Sequence, residues 1–414
     1  MQMWVYVVRR AALVIPVVIG VMTVLFVLIS ALPETQRTCS FYRPSGKTSP
    51  CTTSIPCQGD PSKLCPNPVY QSAVNALGLN KPIFVQWAIY IGNALTFQWG
   101  YVAQGSGLGT GEAGSGLPGL AGQSVASVLS NFLPYTIELA LLSLLIILIV
   151  SIPLGNLSAV YRNRPVDQAS RVMSFSGYAL PAFLLGSFIL AAATFALGGP
   201  AAPSKICGGS STVFLDFFGS WPQPPCKPLY GTSNLGPFGY PAWLGITGYI
   251  STPTGFPTVD AAIHGQYWLA LDTLLRMVLP ALVIAYTTIA GLLRFVRNSM
   301  LEVMNQDFIR TARAKGLPES AVIKKHAGRN SLNVTITVLG LTFAGFVTGF
   351  PVVEIVFNLW GVGRIYAFSV VGGVNEWDFG VLFGTTLLFT YLVVAANIIV
   401  DIMYAYLDPR VRLG

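Results

Sequence analysis

The chain has 414 residues, of which 53% are hydrophobic and only 10% are charged. Globular proteins carry about 25% charged residues, so a soluble protein of this length could not cover its surface, and the composition excludes that class. The net charge of +8 would suit nucleic acid, but positive residues collected in the cytoplasmic loops of a membrane protein explain it better, and we expect no nucleic-acid partner.

Six apolar runs predict an all-α, polytopic membrane protein with about six transmembrane helices. Each run has the roughly 20 residues needed to cross a hydrocarbon core of about 30 Å. The runs are continuously apolar, which favours helices over alternating strands. The predicted spans are 7–32, 130–160, 168–198, 269–293, 331–357 and 379–407.

Basic residues predict the orientation. Arg9 and Arg10 precede the first span, whose apolar run is longer than the roughly 7–15 residues of a signal peptide, so we expect it to remain uncleaved. If the loops after spans two and four and the terminus after span six share the side of Arg9, that side holds 15 of the 24 Lys and Arg residues. Both termini are therefore predicted to be cytoplasmic, in the cell membrane.

This topology divides the chain into three parts. Residues 1–32 form an N-terminal transmembrane helix, and 33–129 form an extracytoplasmic region rich in Cys and Gly. Residues 130–414 form a membrane domain with an extracytoplasmic insertion at 199–268 and a cytoplasmic segment at 294–330. Within the first extracytoplasmic region, one amphipathic helix is predicted near 69–98, before a glycine-rich piece at 105–122.

All six cysteines fall in the two predicted extracytoplasmic regions. An even number in an oxidising compartment favours disulfides over free thiols. A metal site is the other alternative, but the CxxC spacing of zinc sites is missing. The disulfide candidates are Cys39, Cys51, Cys57, Cys65, Cys207 and Cys226.

No motif predicts a nucleotide site or catalysis in this chain. The run 46–48 resembles the end of a P-loop but lacks the upstream glycine, and the GxGxxG pattern at 109–114 lacks a strand–helix context. The only two histidines, His264 and His326, lie on opposite sides of the predicted membrane. We expect no enzymatic activity, no catalytic residue and no metal ligand here.

The segment from Arg294 to Arg329 holds eight of the 24 Lys and Arg residues. Its sequence predicts a helix, a tight turn at Gly316, and a short helix that starts near Pro318 and Glu319, where proline and an acid suit a first turn. A small apolar patch among basic residues suits docking into a cleft of a partner protein. Contact with anionic lipid is the alternative.

The segments DFIRTARAKGL (307–317) and KKHAGRNSL (324–332) closely resemble the "EAA" signature of permease subunits in ABC importers of the dipeptide/oligopeptide/nickel class. The resemblance extends in order through most of the membrane part, and includes the segments 7–29, 76–87, 133–168, 278–303, 361–364 and 406–412.

This resemblance implies a type I ABC importer fold and a coupling helix that sits in a groove of an ATPase subunit. It implies a second homologous permease subunit, two ATP-binding subunits, an extracytoplasmic substrate-binding protein and a lipid bilayer as partners. ATP and Mg would be bound by the ATPase subunits, with no cofactor in this chain. The coupling role is carried to Arg310, Ala312, Arg313, Ala314, Lys315, Gly316, Leu317, Glu319 and Val322.

Three acids lie in or near predicted spans: Glu138, Glu354 and Asp401. Because buried acids are costly in hydrocarbon, they are candidates for the lining of a translocation path. Structural hydrogen bonds, or positions near a helix end, are the alternative.

Two other classes of membrane protein compete with the importer subunit. A secondary carrier or channel acting without ATPases would contain inverted repeats around a midplane site, and no clear repeat is visible. A membrane scaffold would not need the basic docking motif.

Overall fold

Helices dominate the part of the chain that the computed structural model describes, namely residues 3–42, 53–57, 60–103, 120, 122–196, 254–265, 267–331, 351–357, 359, 361–370 and 377–407. The helices of the first half are α1 (Met3–Ser30), α2 (Glu34–Phe41), α3 (Pro68–Leu77), α4 (Ile83–Leu95), α5 (Val125–Val160), α6 (Pro165–Ala179) and α7 (Ala182–Ala196). Those of the second half are α8 (Pro257–Ile263), α9 (Tyr267–Met304), α10 (Asp307–Ala314), α11 (Glu319–Ala321), α12 (Val362–Phe368) and α13 (Phe379–Leu407).

In the described part of the chain, four helices are long and apolar enough to cross a membrane, and they confirm the helical, multi-pass prediction. They contribute the stretches Ala12–Ser30, Val125–Val160, Met277–Met304 and Phe379–Ile402. They correspond to the first, second, fourth and sixth predicted spans. Most of the fifth predicted span falls in 332–350, outside the described residues.

The third predicted span is not one straight helix. It consists of α6 and α7, which meet at an angle of 102°. The break follows from Pro181: the preceding residue, Leu180, takes an extended conformation with φ −106° and ψ 115°, because a proline disfavours the helical conformation of the residue before it. The pair is either a broken span or a re-entrant element.

Among the described residues, two large apolar clusters pack the membrane helices against one another. One joins α1, the first turns of α5, α12 and α13. The other joins α5 to α9 and to the helix at 351–356. At Gly155 the helices α5 and α9 approach so closely that a Cβ atom would lie 2.6 Å from Cγ1 of Val296, so a glycine is needed there.

The region between α1 and α5 differs from its prediction. Instead of one amphipathic helix near 69–98, it has α3 and α4. Helix α3 ends at Gly78, whose left-handed φ of +67° is the usual glycine termination of a helix. Before α3, strands β1 (Ser54–Cys57) and β2 (Asp60–Pro66) pair as an antiparallel hairpin.

The described cysteines include Cys39 in α2 and Cys65 in β2, and no described cysteine is free. Cys51, Cys207 and Cys226 lie outside the described residues, as do most of the glycine-rich piece and of the insertion at 199–268.

Candidate docking segment and its anchor

Residues Asp307–Ser331, here called the docking segment, follow directly on the longest helix. Helix α9 runs on beyond the predicted end of its span and stops at Met304. The single predicted helix before the glycine is therefore two helices, α9 and α10, separated by Asn305 and Gln306. Gln306 is the N-cap residue of α10, with φ −79° and ψ 155°, so the chain turns away from the axis of α9 at this point.

The turn at Gly316 forms as the sequence predicts. Its φ is +75°, in the region that side chains with a Cβ resist. Its N–H donates to the carbonyl of Arg313 at 2.9 Å, and that of Leu317 donates to Ala312 at 3.4 Å. A Cβ atom at Gly316 would meet nothing within 4 Å, so the requirement for glycine is conformational and not steric.

An internal apolar cluster anchors the segment to the membrane helices. Ile309 and Ala312 of α10 are buried, as is Val322, which begins a π-helix over Val322–Gly328. They pack with Met300 of α9 and Ala159 at the end of α5. Two of the predicted coupling residues, Ala312 and Val322, therefore face the protein interior.

The other predicted coupling residues remain on the surface. They comprise four charged side chains, two apolar side chains and the glycine of the turn. The exposed set is Arg310, Arg313, Ala314, Lys315, Gly316, Leu317 and Glu319. Leu317 is 39% exposed, a large apolar side chain beside several cations. The surface therefore offers one hydrophobic contact surrounded by hydrogen-bond donors.

One ion pair spans the glycine turn. The Arg313 guanidinium donates from Nε to Oε2 of Glu319 at 3.1 Å and from Nη2 to Oε1 at 2.6 Å. These bonds lower the pKa of Glu319 and raise the pKa of Arg313. Because the folded-state pKa of Glu319 is the lower one, its contribution to stability is present above the ordinary carboxyl pKa and is lost as the pH falls through the lowered value. The pair is exposed, so the contribution is small at any pH.

Sequence reasoning missed a buried carboxylate at the same end of the molecule. Asp167 is 0% exposed. Its Oδ1 accepts hydrogen bonds from Ser158 Oγ and Arg297 Nε, both at 2.8 Å. Its Oδ2 accepts from Asn163 N–H at 2.9 Å and Arg171 Nη2 at 2.8 Å. One carboxylate thereby ties the end of α5, the start of α6 and the last turns of α9.

The sequence held a partial signal for this cluster. Asp167 is the one acid in the loop between the second and third predicted spans, which is otherwise basic. The partner that completes the cluster, Arg297, is 130 positions away, and nothing local in the sequence pairs the two.

The three predicted path acids are not brought together. Glu354 is 0% exposed and accepts from Thr136 Oγ1 at 2.8 Å and from Arg364 N–H at 2.9 Å. Glu138 is half-buried and accepts from the N–H and the hydroxyl of Thr258, both at 3.2 Å, at the start of α8. Asp401 is half-buried near the end of α13. For Glu354 this geometry favours a structural role, in which the carboxylate accepts hydrogen bonds within the protein, over a place in the lining of the translocation path.

Among the described residues, no group of three or more His, Cys, Asp or Glu side chains could hold a metal ion.

Comparison with known proteins identifies the family to which the chain belongs. Residues 151–413, more than half of the chain, match the family described as "Binding-protein-dependent transport system inner membrane component". The oligopeptide transport system permease protein AppB of Bacillus subtilis (strain 168) is 29% identical over 412 residues, covering 98% of this chain and 99% of that protein.

Two relatives from Escherichia coli (strain K12) agree. The probable D,D-dipeptide transport system permease protein DdpB is 31% identical over 361 residues, covering 86% of this chain and 89% of that protein. The dipeptide transport system permease protein DppB is 27% identical over 416 residues, covering 98% of each. The chain therefore belongs to the family of binding-protein-dependent transport system inner membrane components.

Proposed function

We propose that this chain forms one half of a membrane pathway that imports peptides, or a related solute such as an oligosaccharide or nickel, at the expense of ATP. Three relatives that align with most of its length are named as permeases for oligopeptides or dipeptides. Because the chain resembles such permeases, its six predicted spans supply half of a pathway, and a second, homologous permease subunit supplies the other half.

The docking segment is the contact with an ATPase subunit. The observation that carries this proposal is its division into two faces. Ile309, Ala312 and Val322 are buried against the ends of α5 and α9, whereas Leu317 and its basic neighbours are exposed. The buried face provides the attachment to the spans, and the exposed face is available to a partner.

Motion of the ATPase would reach the membrane through α9. Only two residues, Asn305 and Gln306, separate that helix from α10, and the Asp167–Arg297 pair holds its last turns to α5 and α6. Transport requires the ATPase to bind the two states of the bundle with different affinity, since attachment alone shifts no equilibrium.

The remaining partners follow from this role. Two ATP-binding subunits hold ATP and Mg and carry out hydrolysis, and a substrate-binding protein outside the cell delivers the solute. This chain contributes no catalytic group. The docking segment must then be cytoplasmic, which places both termini in the cytoplasm and α2 to α4 outside.

The cysteines form disulfides on the outer side. In support, no cysteine among the described residues is free, and an oxidising compartment stabilises disulfides. Denatured, unreduced protein should expose no more than two thiols to alkylation. Alkylation of all six would refute the proposal.

Two substitutions in the exposed face test the docking role. Gly316→Val forces a branched residue into a left-handed conformation, at a cost of about 1–2 kcal/mol. Leu317→Asp puts a carboxylate where we expect an apolar pocket. Both variants should still insert and bind the partner permease, but co-purification of ATPase subunits and substrate-stimulated ATP turnover should fall.

Matched variants control for general damage. Gly265 has φ +72°, close to that of Gly316, and also has nothing within 4 Å of its added Cβ. Gly265→Val should therefore cost similar stability and leave ATPase attachment intact. Lys324→Glu, an exposed change in the same segment, should cost about 1 kcal/mol or less. Wild-type attachment in both Gly316→Val and Leu317→Asp would refute the docking role.

A further inference from the structure

A cavity lies between α1, α2, α4 and α13, at the end of two membrane spans. Phe26 and Ile29 line it from the last turns of the span Ala12–Ser30, and Phe383 and Leu387 from the first turns of the span that begins at Phe379. The cavity and the open solvent at its mouth together occupy about 680 Å³, and most of the lining is apolar.

The position of helix α4 beside α1 indicates that this cavity lies within the membrane, near one surface of the bilayer. The indole Nε1 of Trp87 donates to Thr23 Oγ1 at 3.1 Å. Thr23 is seven residues before Ser30, the end of the span, so α4 reaches about 10 Å along α1 at 1.5 Å per residue. With 13 residues, Ile83–Leu95 is too short to cross a bilayer.

The outward face of α4 is apolar. Ile83, Phe84 and Leu95 are 52%, 81% and 53% exposed. A helix that lies beside a span and exposes such side chains is suited to hydrocarbon and to the lipid interface. The surroundings of the cavity are therefore lipid acyl chains and headgroups.

Two polar side-chain atoms in the lining lack hydrogen-bond partners among the described residues. Arg37 Nε and Tyr90 Oη are both buried without a hydrogen bond. Within the described ranges, the Arg37 side chain makes one hydrogen bond, from Nη1 to Gln86 Oε1, at a distance of 3.5 Å. The acid on the same helix, Glu34, instead accepts from Tyr70 Oη at 3.4 Å. Among the described residues, no carboxylate forms an ion pair with Arg37.

A cation in an apolar, partly enclosed site is costly unless an anion pairs with it. A phosphate oxygen can accept from a guanidinium and a hydroxyl together, and guanidinium binds phosphate with particular strength. The ligand must therefore carry both an anionic group and an apolar chain. At the end of two membrane spans, the molecules that combine the two are anionic lipids. We propose that this cavity binds an anionic phospholipid, with its phosphate at Arg37 and Tyr90 and an acyl chain against Phe26, Ile29, Phe383 and Leu387.

The test counts lipids on the assembled transporter. The complex of this chain with its partner subunits is reconstituted in nanodiscs of phosphatidylcholine with a minor fraction of phosphatidylglycerol. It is then released, and native mass spectrometry counts the retained phosphatidylglycerol. Arg37→Gln should lower occupancy of one phosphatidylglycerol about tenfold, as expected for the loss of a charge-assisted hydrogen bond.

Two further variants keep the result interpretable. Leu79→Trp fills the cavity from a lining position without changing charge, and should also remove that one lipid. Lys81→Gln removes a nearby exposed charge outside the cavity lining, and should retain it. ATPase co-purification is recorded in parallel, so that loss of the complex is distinguished from loss of the lipid.

Equal phosphatidylglycerol counts in the wild type and Arg37→Gln would overturn the proposal, since the cavity would then hold water or phosphatidylcholine. An equal loss in Lys81→Gln would show a general effect of surface charge and would also overturn it. The proposal would also be overturned if Arg37→Gln and Leu79→Trp lost a partner subunit while the phosphatidylglycerol count stayed unchanged.

Discussion

At the residue scale, Asp167 lies in an environment unlike that of an ordinary surface acid. It receives hydrogen bonds from two arginines, a serine hydroxyl and a backbone N–H, so the cost of burying its charge is compensated locally. The Arg297 side chain is only 18% exposed. If the Asp167 carboxylate were lost, the Arg297 guanidinium would therefore be a poorly solvated cation without its partner.

We therefore predict that Asp167→Asn destabilises the protein on the order of 3 kcal/mol, the cost of leaving one partner of a buried ion pair without the other. In detergent, the thermal midpoint of the purified chain should fall by several degrees. ATPase attachment should weaken as well, because α9 is no longer held to α5 and α6.

Asp307→Asn is the matched control. The side chains of its pair with Arg310 are 96% and 74% exposed, so its loss should change stability by less than about 1 kcal/mol. Equal midpoints for Asp167→Asn and Asp307→Asn would mean that the buried cluster contributes no more than a surface pair.

At the scale of elements, the sequence predicted the turn of the docking segment better than its helices. Gly316, Pro318 and Glu319 each have a strong local preference, and the turn and helix start lie where those preferences place them. The break after Met304 was missed because Gln306 makes no side-chain cap. The inward orientation of Val322 was missed because it depends on packing against α5 and α9, which are distant in sequence.

Glu354 joins three elements, which sequence reasoning could not foresee. Its carboxylate accepts from Thr136 on α5 and from the N–H of Arg364 in α12, and the Thr136 hydroxyl in turn accepts from the N–H of Val362 at 2.9 Å. We predict that Glu354→Leu lowers thermal stability by about 1–3 kcal/mol for each buried donor left unpaired. Uptake per folded transporter should stay unchanged.

Glu302→Leu, at an exposed acid on α9, is the control and should leave stability within about 0.5 kcal/mol of the wild type. If Glu354→Leu changed uptake or substrate preference while its thermal midpoint held, Glu354 would line the translocation path instead.

At the scale of the whole molecule, apolar runs and basic loops were sufficient to predict a helical, multi-pass protein. Run length could not reveal the bend of 102° between α6 and α7, since the two helices together are long and apolar enough for one span and only Pro181 marks the break. The resemblance of 307–317 and 324–332 to a known signature predicted the family that residues 151–413 match. The orientation remains a prediction from charge.

We propose that the exposed face of the docking segment contacts an ATPase subunit in the cytoplasm. Site-specific photocross-linking in cell membranes tests it directly. A photoactivatable phenylalanine analogue replaces Leu317 in one variant and Lys315 in a second, so that a perturbed contact at one position does not decide the result. Ile263, 61% exposed and predicted to be extracytoplasmic, is the control position.

We expect an adduct between this chain and an ATPase subunit from position 317 or 315 and none from position 263. An assembled transporter without such an adduct from either position in the docking segment, or with one from position 263, would contradict both the docking surface and the orientation.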